Sequence, residues 1–358
     1  MTIAKPLAQP ITQLAVLLTC HNRREKTLAA LTSLFAQSVL QPLSAQTTAQ
    51  SIEQTYAQSN AQTRRSANMG TTFISAELST PRLTVFLVDD GCTDGTAAAV
   101  AAHFPHVQII QGSGQLFWNR GMRLAWQSAI AYAQQLQPAH KFDAYIWLND
   151  DVWLDPQALA RLLDGYVGAM QNHTRKVGAI VGCFLDPSTL AVTYGGRCRG
   201  SALKPFSPGP LLAVSPCLQR CDFINGNFCL IPADAVEAIG ILDEAFTHSI
   251  GDYDYGLRLQ HAGYSLWQAS GFSGYCTANS NTGQIFNAKV PLGTRVGWLK
   301  RPNVWPPAAE WALFVRRHGG CLWPYWWLRV WLRGRFPRLW LWLSQKASSS
   351  LATDRESN

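Results

Sequence analysis

The chain has 358 residues, 47% of them hydrophobic and 15% charged, which indicates a globular protein large enough to bury a full core in one α/β domain or two modest ones. Its nine cysteines are scattered and odd in number, and the N-terminal stretch lacks the pattern of a secretory leader; a secreted disulfide scaffold is excluded in favour of free thiols in a reducing, cytoplasmic setting. The net charge of +8 is local: ten Lys/Arg against one acid, Glu310, between Arg295 and Lys346 put +9 there, so the remainder sums to −1.

Residues 14–19 read as a first apolar strand, and His21-Asn22-Arg23 turns into a helix over 24–37 with Leu28, Leu31, Leu34 and Phe35 at helical spacing. Residues 41–80 are a Gln/Ser/Thr/Ala-rich insertion without periodicity, read as a tolerated surface segment. A buried strand at 83–88 then runs into Asp89-Asp90-Gly91, followed by an Ala-rich helix at 95–103 capped by Thr93 or Asp94. A short strand at 107–110 and a turn at Gly112-Ser-Gly114 lead to a long helix over 119–135. The strand at 144–148 delivers Asn149-Asp150-Asp151, and a helix over 155–170 has Pro156 at its first position. Residues 177–181 form a buried strand, and 186–220 are irregular, with Arg197, Arg199 and Lys204 suiting an acceptor-side loop. Helices near 232–239 and 253–262 bracket Gly251-Asp252-Tyr253-Asp254. The alternation predicts a mostly parallel, twisted sheet. Cys217 and Cys221 are four apart but lack a second pair at ligand spacing, so they do not define a zinc site.

Three of these segments end in carboxylates, and in open α/β sheets ligands bind at the carboxyl ends of strands. Carboxylates gathered there repel one another unless a cation or a proton-transfer task justifies them. In order, Thr19-Cys20-His21-Asn22-Arg23, Val88-Asp89-Asp90-Gly91-Cys92-Thr93-Asp94-Gly95-Thr96, Asn149-Asp150-Asp151 and Gly251-Asp252-Tyr253-Asp254-Tyr255-Gly256-Leu257-Arg258 resemble the motifs of the family-2, GT-A-fold glycosyltransferases. The resemblance covers residues 12 to 280 and implies a single GT-A-like α/β domain that binds a nucleotide diphosphate sugar.

By that resemblance Asn149-Asp150-Asp151 stands in the place of the Asp-X-Asp motif, with Asp151 the direct ligand of a divalent metal (Mn or Mg). Asn149 replaces the first Asp and would reach ribose or metal through its amide oxygen. Asp89 and Asp90 match the base and ribose contacts, which suits a UDP- or dTDP-linked donor, and spacing does not say which Asp meets the base. Thr19 and Arg23 lie where the family holds the nucleotide, with Arg23 otherwise a solvated helix-start residue; Arg120 would add charge to a phosphate-binding helix start, beside a Trp118 that serves either there or in the core. Asp252 aligns with the catalytic base of an inverting reaction, but Gly251 takes the position of the family's preceding Glu. Asp254 and Arg258 read as a structural ion pair, and Asn225, Asn227 and His248 as acceptor-side positions, His248 alternatively as a structural histidine. A sugar-phosphate nucleotidyltransferase would want a glycine-rich basic loop after the first strand, which Thr19–Arg23 is not; a non-catalytic nucleotide-sugar-binding protein would not need Asp252.

The expected organisation is an extension at 1–11, the GT-A domain at 12–290, a basic aromatic segment at 291–346 and a disordered tail at 347–358. The basic segment holds nine of the 14 tryptophans interleaved with arginines. It has no stretch of roughly 20 uncharged residues able to span a bilayer. Trp with Arg suits an anionic membrane surface, which is preferred to nucleic acid as a partner, and implies a peripheral position on the inner face of the plasma membrane. The acceptor expected with that position is a glycan or glycolipid of surface polysaccharide or envelope synthesis.

Overall fold

The computed structural model of the chain describes residues 11–40, 80–136, 141–172, 175–278, 285, 287 and 289–342. The expected N-terminal extension apart from Ile11, nearly all of the 41–80 insertion and the C-terminal tail lie outside the described residues.

The strands are β1 (Gln13–Cys20), β2 (Arg82–Asp89), β3 (Gln108–Gln111), β4 (Ala144–Leu148), β5 (Trp153–Leu154), β6 (Val177–Val181), β7 (Phe184–Leu185), β8 (Val192–Tyr194), β9 (Arg197–Arg199), β10 (Pro208–Leu211), β11 (Gln219–Cys221), β12 (Phe228–Pro232), β13 (Ser265–Gln268) and β14 (Gly274–Tyr275). The helices are α1 (Arg24–Phe35), α2 (Thr96–His103), α3 (Phe117–Gln135), α4 (Ala158–Asn172), α5 (Ala233–Ile239), α6 (Gly251–His261), α7 (Leu292–Trp298), α8 (Ala308–His318) and α9 (Trp323–Arg335).

The main sheet has the order β11-β13-β6-β12-β4-β1-β2-β3. β4, β1, β2 and β3 run parallel, as do β6 and β13, while β12 lies antiparallel between β4 and β6 and β11 is an antiparallel edge. Both faces are covered, which is why β1, β2 and β4 are continuous apolar runs. Leu14, Val16, Leu18, Val85, Leu87 and Ile146 face α1, α2 and α4, and Ala15, Leu17, Phe86, Val88, Tyr145 and Trp147 face α3, α5 and α6. The result is a three-layer, mostly parallel α/β architecture.

Three differences from the sequence reading have local causes. α4 starts at Ala158 rather than 155, because Asp155 accepts the Gln157 N–H through Oδ1 and Pro156 falls in that turn. α3 begins at Phe117, two residues early, held from outside by Asp90. The stretch 186–220 is not uniformly irregular: β8, β9, β10 and the start of β11 lie in it.

The C-terminal segment is not a separate arm. Phe314 and Val315 of α8 and Val330 of α9 join Phe206, Phe223, Phe246, Ile250 and Leu257 in a third buried cluster, so this segment is docked on the α/β body. Among the described residues no helix is long and apolar enough to cross a membrane.

Candidate active site

The parallel register places Cys20 opposite Asp89 and Leu17 opposite Trp147, so β1, β2 and β4 deliver Arg23, Asp89-Asp90 and Asn149-Asp150-Asp151 to one edge of the sheet. There Asp150 Oδ1 and Asp151 Oδ2 each lie 3.0 Å from the same nitrogen, Nη1 of Arg23. Arg23 is thus the counter-ion of the carboxylate pair. Burial pushes the Asp150 carboxyl up to about 7 against the pull of Arg23, with the Asp151 charge adding to the rise. Two carboxylate oxygens converging on one cationic centre suit a hard divalent ion, which binds through one or two carboxylates plus substrate phosphates. These residues fit the implied metal.

The Asn149 amide oxygen Oδ1 accepts the Trp118 indole N–H at 2.7 Å. Trp118 itself packs edge-to-face on Trp147 and lies over Gly226, which has no Cβ to obstruct it.

The two aspartates after β2 part company. Asp90 is buried, and its carboxylate accepts three backbone N–H groups, from Gly114 at 2.7 Å, Leu116 at 2.8 Å and Phe117 at 3.1 Å. It anchors the start of α3. Asp89 Oδ1 accepts the Cys92 N–H at 2.7 Å. Thr19 is pressed against Gly121 of α3, and a Cβ there would overlap its hydroxyl. Arg120 is exposed and turned to the Glu244 carbonyl, 3.3 Å from its Nε, rather than towards the carboxylates. Asp94 bridges two helices, accepting the Arg24 N–H of α1 and the Thr96 N–H of α2.

Asp252 stands in the first turn of α6. Tyr253 N–H donates to Oδ1 at 2.8 Å, and Gly226 N–H reaches the same carboxylate. Burial pushes its carboxyl up to about 6, with these two N–H groups and the Arg197 charge opposing the rise. Ile250, immediately before this helix, has φ +67°, a strained conformation for a β-branched residue, of the sort that clusters at functional sites. Asn225 and Asn227 form the adjoining turn: Asn225 Oδ1 accepts the Asn227 N–H at 3.0 Å and its Nδ2 donates to the Gly195 carbonyl, while Asn227 Nδ2 reaches Cys276 Sγ. Cys276 Sγ in turn lies 4.0 Å from Asp151 Oδ1, a neighbour the sequence reading missed and that no motif marks.

His248 accepts the Trp118 N–H through Nδ1 at 3.3 Å and meets the Phe117 ring edge-on, capping α3. Burial, then the nearby Arg23 charge, lower its pKa to about 4, so it is neutral at pH 7. Asp254 is fully buried. It pairs with Arg258 Nε at 2.8 Å on its own helix, and with Arg317 Nη1 at 3.2 Å and His318 Nε2 at 2.9 Å on α8. Glu310 of α8 accepts the Thr247 N–H and hydroxyl. The C-terminal segment thus braces the helix that carries Asp252.

Residues 49–172 match the family model described as glycosyl transferase family 2. The chain is similar to N-acetylglucosaminyl-diphospho-decaprenol L-rhamnosyltransferase of two Mycobacterium tuberculosis strains, CDC 1551 / Oshkosh and ATCC 25618 / H37Rv. It is 25% identical to each over 205 residues, 53% of this chain and 65% of the relative, and so spans less than two thirds of their length. Among solved structures it is similar to a mannosyltransferase from Pyrobaculum calidifontis in complex with GDP-Man and Mn2+, with 13% identity, 99% of this chain and 78% of that chain covered, and a TM-score of 0.46. S. aureus TarS residues 1-349 give 11% identity, 90% and 81% coverage and a TM-score of 0.44.

Proposed function

We propose that this chain is an inverting, metal-dependent glycosyltransferase. It moves a sugar from a UDP- or dTDP-linked donor to a hydroxyl of a lipid-linked glycan during surface polysaccharide or envelope synthesis. The observation that carries the reading is the convergence of Asp150 and Asp151 on one cationic nitrogen at the carboxyl edge of β4. Asp150 and Asp151 would hold a divalent cation there, which when bound supplies Lewis-acid charge to the departing diphosphate.

The chain's own residues account for the rest. Asp252, fixed by two backbone N–H groups and with its carboxyl at about 6, is ionised at neutral pH yet more basic than a free aspartate. It takes the proton of the acceptor hydroxyl as that oxygen attacks the anomeric carbon and the bond to the diphosphate breaks. Arg23, on a half-exposed side chain, offsets charge at the carboxylate pair and is placed to follow the diphosphate. With Asp90 committed to the start of α3, Asp89 is the carboxylate left for the nucleotide.

A lipid-linked acceptor is supported by the diphospho-decaprenol substrate named for the mycobacterial relatives and by α9. Trp323, Trp327 and Trp331 recur every four residues along α9 and are exposed, and Leu328, Phe336, Leu339 and Trp342 extend this apolar surface. Arg329 stacks over Tyr325 and Trp326 and Arg335 over Phe336, so cationic and aromatic groups share it, a combination suited to anionic headgroups. This supports a peripheral position on the inner leaflet of the plasma membrane.

Thermal-shift screening of UDP- and dTDP-sugars with Mn2+ or Mg2+ tests the reading, because a ligand that binds only the folded state raises the melting temperature. A metal-dependent shift with a nucleotide sugar, lost in Asp151→Ala, is expected. Shifts that are the same in chelator overturn the metal assignment.

A further inference from the structure

Cys20 at the end of β1 and Cys92 after β2 bring their sulfurs to 3.7 Å, and a carboxylate oxygen of Asp89 lies within 4.8 Å of both. Neither cysteine takes part in the chemistry above, and both are reduced. Two thiolates on one tetrahedral zinc-type ion, with metal–sulfur bonds of about 2.3 Å, stand roughly 3.8 Å apart. The sulfurs are therefore already at the separation of a shared ion. Asn22 N–H donates to Cys92 Sγ at 3.2 Å, the outer hydrogen bond a metal-bound thiolate takes, and the parallel pairing of β1 with β2 holds Cys20 opposite Asp89.

We propose that Cys20, Cys92 and Asp89 form a binding site for a soft divalent cation of the Zn2+ type, separate from the hard-ion site at Asp150 and Asp151. Binding releases the two thiol protons to solvent. In the function proposed above Asp89 also meets the donor nucleotide, so ion and donor compete for it.

The test is Co2+ titration of metal-free, reduced full-length protein, read by the sulfur-to-cobalt charge-transfer absorption in the near ultraviolet. The expected result is a band saturating at one equivalent, bleached by Zn2+, lost in Cys92→Ser and in Cys20→Ser, and kept in Cys217→Ser and Cys276→Ser. Should either serine variant fail to fold, mass-spectrometric thiol labelling of the wild type reads the same site: Zn2+ protects Cys92 from iodoacetamide and leaves Cys217 and Cys321 reactive. Absence of the band, its loss only in Cys217→Ser or Cys276→Ser, or unprotected Cys92 overturns the proposal. A band without donor competition keeps the site and removes Asp89 from the nucleotide.

Discussion

Gly251 and Asn119 occupy each other's space: the Asn119 amide oxygen faces the Gly251 Cα so closely that any Cβ at 251 would overlap it. Asn119 is fully buried, and its Nδ2 donates to the Asp243 and Phe246 carbonyls at 2.8 and 2.7 Å. α3 is thereby tied to the loop that leads into α6. The Glu that the motif leads one to expect before Asp252 has no room here, and Asp252 is left to act with backbone N–H groups around it.

Gly251→Ala should destabilise by the roughly 1–3 kcal/mol of overpacking. In an Asn119→Ala background, itself weakened by two lost hydrogen bonds, the same change should cost much less. Urea unfolding of the four proteins measures this coupling, and additive effects would contradict the contact.

Asp254→Asn leaves Arg258, Arg317 and His318 facing a buried neutral amide. Losing one partner of a buried ionic cluster costs about 3–5 kcal/mol. The expected outcome is a large fall in melting temperature with faster tryptic cleavage near α8. A fall no larger than that of an exposed control such as Glu25→Gln would mean that the cluster does not brace α6.

The lowered pKa of His248 makes a signed pH prediction. Below its unfolded value near 6.5 the unfolded chain binds a proton that the folded chain takes up only at about 4, so this residue lowers stability as pH falls from 6.5 to 4. His248→Gln, which still offers an acceptor to Trp118 N–H, should lose less stability over that window. Parallel melting curves at pH 7 and pH 4.5 would expose an equal loss.

Membrane attachment should follow the exposed face of α9. Trp327→Ser with Trp331→Ser should weaken sedimentation with anionic vesicles without lowering the melting temperature, whereas Val330→Ser, in the buried cluster, should do the reverse. Binding should also fall with salt, as each arginine near the surface contributes about 1 kcal/mol. Equal sedimentation with neutral vesicles would contradict it.

The strands at 13–20, 82–89, 144–148 and 177–181 are legible because burial on both faces writes a continuous apolar run, and their carboxylates mark the binding edge. Phe228–Pro232 is also apolar, but its place as an antiparallel strand between β4 and β6 depends on pairings distant in sequence, and reading 232 onward as a helix hides it. Polar partners are less legible still. Nothing local to Asp90 says that the backbone of 114–117 takes its carboxylate, or to Asn149 that an indole 31 residues away takes its oxygen. The basic segment shows the converse: its charge and tryptophans are plain in the sequence, whereas the docking of α8 rests on Phe314, Val315 and one buried aspartate on another helix.

The most direct measurement is the transfer rate against pH for wild type and Asp252→Asn, using a responsive nucleotide sugar, a polyprenyl-diphosphate-linked acceptor and Mg2+. With Asp252 as the base, wild-type kcat/KM should fall as pH drops through about 6, because protonation removes the base. Asp252→Asn should lower kcat by roughly 10²–10⁴-fold while donor KM stays nearly constant. A variant that retains wild-type turnover and the same acid limb would contradict the account.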